Sequence, residues 1–177
     1  MSTTDFQELV GKPVSAGGPS TAPDPVNQPM IRHWAAAFDD RNPIYTDPDA
    51  AAATRHGGIV APPLMLQTWT MGTPKLEGIR ERGGSAAESS GPSVVDILNE
   101  AGYRGTLATN SEFEIVRYLQ PGEVVQAETL VESISEEKDT RLGKGRFLQW
   151  VTTYTVDGEV VGRQLFRILK FQPPVAS

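Results

Sequence analysis

The sequence predicts an α+β chain in which helices come first and an antiparallel sheet follows. Three observations predict it. Apolar residues between about 27 and 102 recur at helical spacing. Beyond residue 110 the period changes to two. The turn signals Pro121-Gly122 and Asp157-Gly158 then separate the alternating segments.

Residues 1–26 are rich in Gly, Ser, Thr and Pro and read as an extended lead-in, with Phe6, Leu9 and Val10 as candidate anchors. Asn27 or Gln28 caps a first helix, Pro29 suits its first turn, and Met30, Ile31, Trp34, Ala35 and Phe38 form one face before Asp39 and Asp40 close it. Asp47 caps a second helix with Pro48 at its first position, Ala50 to Ala53 inside it and Gly57 as its stop. The most apolar run, IVAPPLMLQTWTM, predicts a short buried helix from about Pro62 to before Gly72, because a prolyl ring fits only the first helical turn. Residues 73–92 are charged and then Gly/Ser-rich, and composition predicts a long movable segment. Ser93 caps a small helix over Val94, Val95, Ile97 and Leu98, ended by Gly102. Four strands follow as a meander: Asn110–Leu119, Val124–Ile134, Phe147–Val156 and Glu159–Phe171, with 136–145 as a charged loop. One domain over 27–172, with a 173–177 tail, is the predicted organisation.

Composition excludes several classes of function. The 177 residues carry 16 Lys and Arg against 22 Asp and Glu, a net charge of −6, so no nucleic-acid or anionic-membrane partner is predicted. The absence of cysteine removes disulfide scaffolds, thiolate metal sites and thiol nucleophiles. Two histidines, His33 and His56, argue against a His-rich metal site. No signal peptide or membrane-length apolar run is present, and a soluble, cytoplasmic protein is expected.

The stretch FDDRNPIYTDPDAAAATRHGGIVAPPLML resembles the MaoC-like enoyl-thioester hydratases and dehydratases. The match rests on Asp40, Asn42, Pro43, Asp47, Pro48, Gly57, Gly58, Ile59, Ala61 and Pro62, and FEIVRYLQPGE from Phe113 to Glu123 continues it. It runs from about Asn27 to Phe171 and is similar in particular to the N-terminal MaoC-like domains of two-part hydratases, including those of actinobacterial steroid side-chain degradation. The resemblance implies a single hot-dog fold, an antiparallel β-sheet wrapped around a central helix, here shortened. It implies water addition to an α,β-unsaturated acyl-CoA, with coenzyme A thioester as substrate and no metal or other cofactor.

Such chemistry needs a base for water, an acid for the α carbon and a donor for the thioester oxygen. The resemblance places the family's Asp on Asp40, its His on Tyr45 and its oxyanion glycine on Pro63. A phenol, ordinarily titrating near ~10, is a poor base at neutral pH, and proline has no N–H to donate. Asp40, Asn42, Tyr45 and Pro63 therefore form a degenerate site with no catalytic residue of its own. The implied partner is a second, small MaoC-like subunit that carries the Asp and His, in a dimer of heterodimers. This chain then supplies substrate-binding residues: Gly57, Gly58, Ile59, Leu64 and Trp69 beside the degenerate site, and Arg141, Lys144 and Arg146 of the loop TRLGKGR for coenzyme A phosphates.

Each of these residues has a plainer reading. Asp40 closes a helix, Asn42-Pro43 makes a turn, Tyr45 is a packed aromatic, Trp69 is core, and TRLGKGR is a solvated loop. Three other functions stay open on the sequence: the substrate-binding subunit of a (3R)-hydroxyacyl-thioester dehydratase of fatty-acid elongation, a non-enzymatic acyl-CoA binding protein, and a thioesterase, for which no extra carboxylate nucleophile stands out.

Overall fold

The computed structural model describes residues 5–72, 76–77 and 93–173. The predicted movable segment over 73–92 lies outside them except for Leu76 and Glu77, as does the tail from 174. The strands are Ser20–Thr21 (β1), Gly105–Ile115 (β2), Gln126–Ile134 (β3), Lys138–Thr140 (β4), Gly143–Val156 (β5) and Glu159–Phe171 (β6). The helices are Gln28–Ala37 (α1), Pro48–Ala52 (α2) and Val94–Glu100 (α3), with 3-10 helices at Phe6–Leu9, Pro43–Tyr45 and Pro63–Thr70. The fold is α+β and hot-dog in kind: one antiparallel sheet in the order β1-β3-β5-β6-β2, with β4 hairpinned onto β5, and short helices packed on one face.

Local chemistry accounts for the helix starts. Asn27 Oδ1 accepts from the Met30 N–H at 3.0 Å, and Asp47 Oδ1 accepts from the N–H groups of Asp49 and Ala50. Ser93 and Asp96 form a reciprocal capping box. Each satisfies donors that a helix N-terminus leaves orphaned, worth about 1 kcal/mol apiece.

The run predicted to form a buried helix is an eight-residue 3-10 helix with no side-chain cap. Pro62 and Pro63 take two N–H groups out of its first turn, and Met65 N–H donates to Pro62 O at 3.0 Å. Tight winding stretches eight residues to about 16 Å, against about 12 Å for an α-helix. Met65, Leu66 and Trp69 are its buried side.

The concave face carries two separate cores. One gathers Ile31, Tyr45, Val60, Met65, Leu66, Trp69, Tyr154 and Val161 beneath the Pro63–Thr70 helix. The other gathers Phe6, Val94, Leu98, Tyr103, Val131, Leu148 and Ile168 beneath α3. Each fully buried aliphatic side chain contributes about 1.5–3 kcal/mol.

Three strand expectations are corrected. The sheet is not a meander: β2 pairs with β6, not with β3. Its span is Gly105–Ile115, earlier than the expected 110–119, because Arg117 to Leu119 turn inward and the Ala61 N–H donates to Leu119 O at 2.8 Å. The charged loop over 136–145 is a hairpin. Thr140 Oγ1 donates to Gly143 O at 2.6 Å and accepts from the Leu142 N–H, while Gly143 takes a φ of 115°, a conformation glycine permits.

The two edges of the sheet differ. The lead-in runs along β3: β1 pairs with it, and the Gly11 and Val14 N–H groups donate to Val131 O and Thr129 O. No described segment covers the 11-residue edge β2.

Lys170 of β6 is 1% exposed. Its Nζ donates to Asn99 Oδ1 and Thr106 Oγ1, both at 2.7 Å, tying α3 and β2 to the sheet. Burial pushes its pKa down to about 8, against a smaller upward pull from Asp96. The unfolded chain therefore binds this proton more tightly, and stability rises with pH between about 8 and 10.5. Below pH 8 the burden is roughly 3 kcal/mol. Thermal unfolding of Lys170→Met beside the parent should show the parent gaining on the variant from pH 7 to pH 10. A constant difference in Tm over that range overturns this account.

Candidate functional site

The degenerate site assembles from the end of α1, the Pro43–Tyr45 turn and the segment entering the Pro63–Thr70 helix. Asp39 closes α1 with a φ of 50°. Asp40 Oδ1 then accepts from the Asn42 N–H at 3.1 Å, and Asn42 Oδ1 from the Ile44 N–H at 3.3 Å. These two side chains fold the DDRNP segment back and lower Tyr45 into the core, where it is 6% exposed. The next segment returns beside it, with the Val60 N–H donating to Ile44 O at 3.3 Å.

Tyr45, where the sequence resemblance expects the family's His, has surroundings that make it a still poorer base. Burial raises its pKa above the ordinary phenolic value, the nearby Tyr118 and Asp40 raise it further, and the Asn42 side chain opposes them. It stays a neutral phenol throughout the neutral range. Pro63 stands at the head of the 3-10 helix, so the first N–H there belongs to Leu64. Asp40, Asn42, Tyr45 and Pro63 thus belong to one region, and none of these four residues offers an imidazole or, at Pro63, an N–H donor.

The other predicted residues divide. Ile59 is buried and Gly58 half-buried, while Gly57 is exposed with a φ of 69°. Leu64 is 55% exposed beside the site, whereas Trp69 is core, with its indole N–H buried and without a hydrogen-bond partner among the described residues. Arg141, Lys144 and Arg146 do not join them. They sit at the start of β5 and the hairpin before it, with Arg146 eight residues from Tyr154, roughly 26 Å along an extended strand. Two of the three are already engaged. Lys144 pairs with Glu137 and Asp139 at 3.2 and 3.4 Å. Arg146 donates to the Tyr103 hydroxyl and Ser135 O and lies over the Phe6 ring. Arg141 is exposed at the turn.

A cavity of about 580 Å³ lies beside the degenerate site, lined by Arg55, His56, Ile115, Val116, Arg117, Tyr118, Gln120 and Glu123. His56 stacks on Tyr118 at 5.0 Å, and Gln120 Nε2 donates to His56 O at 2.8 Å. Arg117 pairs with Glu123 at 2.8 Å and Glu159 at 3.3 Å. Arg55 makes no ion pair among the described residues, so the cavity keeps a cationic wall. The sequence reading quoted these residues within its two family motifs but did not name them as a binding group.

Residues 16–164 match the family described as FAS1-like, dehydratase domain region. A Thermomonospora curvata protein named "Probable enoyl-CoA hydratase alpha subunit" is 44% identical over 170 residues, 95% of this chain and 51% of that protein. The 3-oxo-4,17-pregnadiene-20-carboxyl-CoA hydratase alpha subunit of Mycobacterium tuberculosis is 44% identical over 173 residues, 96% of this chain and 53% of that protein. The chain therefore spans about half the length of these curated relatives. Among solved structures, the ChsH1-ChsH2 complex from Mycobacterium tuberculosis superposes with a TM-score of 0.79 at 41% identity, over 97% of this chain and 94% of that one. The (R)-hydratase from A. caviae involved in PHA biosynthesis shares the fold, with a TM-score of 0.55 at 16% identity over 87% and 95% of the two chains.

Proposed function

This chain belongs to the FAS1-like dehydratase family of MaoC-like hot-dog proteins, and from that premise we propose that it is the non-catalytic, substrate-binding subunit of a heteromeric enoyl-CoA hydratase. The observation that carries the reading is the pair Tyr45 and Pro63, a buried phenol and a helix start without an N–H where the resemblance expects a His and an oxyanion glycine. A second, small MaoC-like subunit supplies the Asp and His that take a proton from water as its oxygen adds to the β carbon and deliver a proton to the α carbon. The reaction is acid–base chemistry on a coenzyme A thioester and calls for no resident metal or cofactor. A cytoplasmic location belongs to the same reading.

The open edge β2 supports such a partner. A long unpaired strand is a template for another chain, and among the described residues the lead-in covers the opposite edge and leaves this one open. The dimer of heterodimers is the assembly that pairs such edges and repeats once. The name of the Mycobacterium tuberculosis relative, a steroid carboxyl-CoA hydratase subunit, supports a polycyclic acyl group. The cavity that holds Arg55, without an ion pair among the described residues, lies beside the degenerate site and so suits coenzyme A phosphates better than Arg141, Lys144 and Arg146, which lie at the other end of the sheet.

Co-expression with a small hot-dog chain that carries the Asp and His is the test. A stable complex of equal stoichiometry that hydrates a steroid enoyl-CoA better than a medium-chain fatty enoyl-CoA is expected. Arg55→Glu should raise KM for the thioester about tenfold and leave kcat largely unchanged, the effect of removing one charge-assisted hydrogen bond to the phosphates. A chain that stays monomeric beside such a partner, or a complex that prefers the fatty substrate, overturns the reading.

A further inference from the structure

Between the two cores a polar row crosses the concave face. Thr129, Thr152 and Gln164 are cross-strand neighbours on β3, β5 and β6, and Thr152 and Gln164 are 7% and 6% exposed. Such positions are ordinarily aliphatic in a sheet that buries one face. Here side-chain hydrogen bonds satisfy them, in a Thr129–Thr152 pair and in a chain that runs from Tyr154 through Gln164. Thr129 Oγ1 and Thr152 Oγ1 lie 2.9 Å apart. The Tyr154 hydroxyl donates to Gln164 Oε1 at 3.0 Å. Gln164 Nε2 donates to Gln67 Oε1 at 2.6 Å and to Ser111 Oγ at 2.9 Å.

The chain has a direction, and the direction decides what it can bind. The Tyr154 hydroxyl, a neutral phenol with its pKa pushed up to about 12 by burial, gives its hydrogen to Gln164 Oε1. Gln164 must then turn its oxygen to Tyr154 and its NH₂ to Gln67 and Ser111. Gln67 spends its oxygen on that bond, and its own NH₂ has no partner among the described residues. The Ser111 oxygen is likewise engaged, which leaves its hydroxyl hydrogen free. The row therefore ends in donors, at a half-buried Gln67 and an exposed Ser111. Beside it, Trp150 and Phe166, with ring centroids 5.2 Å apart, present half-buried aromatic surface on the same face. A flat apolar body with an oxygen acceptor at its far end matches this surface.

We propose that Gln67 and Ser111, set by Gln164 and Tyr154, form a specificity station that selects acyl groups carrying a carbonyl or ether oxygen remote from the thioester. This rests on the substrate-binding role proposed above and names the feature of the substrate that the chain reads. An acyl body laid over these donors takes water away from them, so an analogue without the acceptor leaves them unpaired in the complex and binds less well.

The test uses the complex of this chain with its catalytic partner and two saturated fused-ring acyl-CoA thioesters, identical except for a ring ketone. Saturated probes cannot be hydrated, so calorimetry reads binding alone. The ketone should bind about tenfold to a hundredfold more tightly than its deoxo analogue. Gln67→Glu keeps an oxygen for Gln164 and removes the donor, so it should erase that preference without lowering Tm. Ser111→Ala should weaken it in part. Equal binding of the two probes, binding of neither, or a Gln67→Glu loss that is the same for both overturns the proposal. Discrimination between the probes without hydration of the unsaturated thioester would leave this station standing and sink the proposed reaction instead.

Discussion

The chain purified without a partner is expected to hydrate enoyl-CoA thioesters no faster than background, whichever acyl group is offered. Two separate defects set this expectation. Tyr45, raised further by burial, cannot accept a proton from water near pH 7, and losing a general base costs about 10²- to 10⁴-fold. Pro63 presents no N–H to a developing enolate oxygen, and losing such a donor costs about 10²- to 10³-fold. Restoring one leaves the other, so Tyr45→His alone should stay inactive, as should Pro63→Gly alone. The double variant should rise above both by more than the product of their separate gains, because base and oxyanion donor act as a unit. Steady-state hydration of crotonyl-CoA monitored by loss of its enoyl absorbance checks this. Activity of the lone chain within tenfold of an assembled complex, or full rescue by Tyr45→His, rules out the silent-subunit reading.

The sequence was most legible where the physics is local. Asn27, Asp47-Pro48 and Ser93 declare helix starts through side chains that bond backbone groups two or three residues away. Asp157-Gly158 marked the β5–β6 turn, and the structure puts both residues at positive φ there. The alternation of Leu148, Trp150, Thr152, Tyr154 and Val156 placed all five on one face, where four are buried and Trp150 half-buried. Partnership between strands was not legible, because β2 and β6 meet only after about fifty residues of intervening chain. Gly143 and the cations around it read as a solvated loop, since nothing in TRLGKGR announces that Thr140 closes a hairpin on Gly143. The cavity joins Arg55 to Arg117, which no short motif could have linked. Similarly, Thr129, Thr152 and Gln164 look like three unrelated polar residues until register sets them side by side.

Gly162→Val is expected to destabilise the fold strongly, although strand propensity alone favours valine in a sheet. Gly162 is buried in β6 beneath the Pro63–Thr70 helix. A Cβ added there would lie 2.7 Å from Leu66 Cδ2 and 2.8 Å from the Glu114 carbonyl oxygen. The leucine can rotate away, but only by disturbing a side chain that is 3% exposed in the core around Tyr45 and Trp69. The carbonyl cannot rotate, because Glu114 belongs to the paired part of β2, opposite Arg163. Either the 3-10 helix lifts or the edge strand parts from β6. Overpacking of this kind costs about 1–3 kcal/mol, with valine at the upper end, and a chain of this size loses about 2–4 °C in Tm for each kcal/mol. A fall in Tm of about 6–12 °C is expected for Gly162→Val and a smaller one for Gly162→Ala. The effects of the two neighbours can be separated by a double-mutant cycle. Leu66→Ala alone should cost about 2–5 kcal/mol through its cavity, yet combined with Gly162→Ala the sum should fall short of additivity, because the new methyl partly fills the space Leu66 vacates. An unchanged or raised Tm for Gly162→Val, or strict additivity in the cycle, would show that Leu66 does not hold the helix down on Gly162.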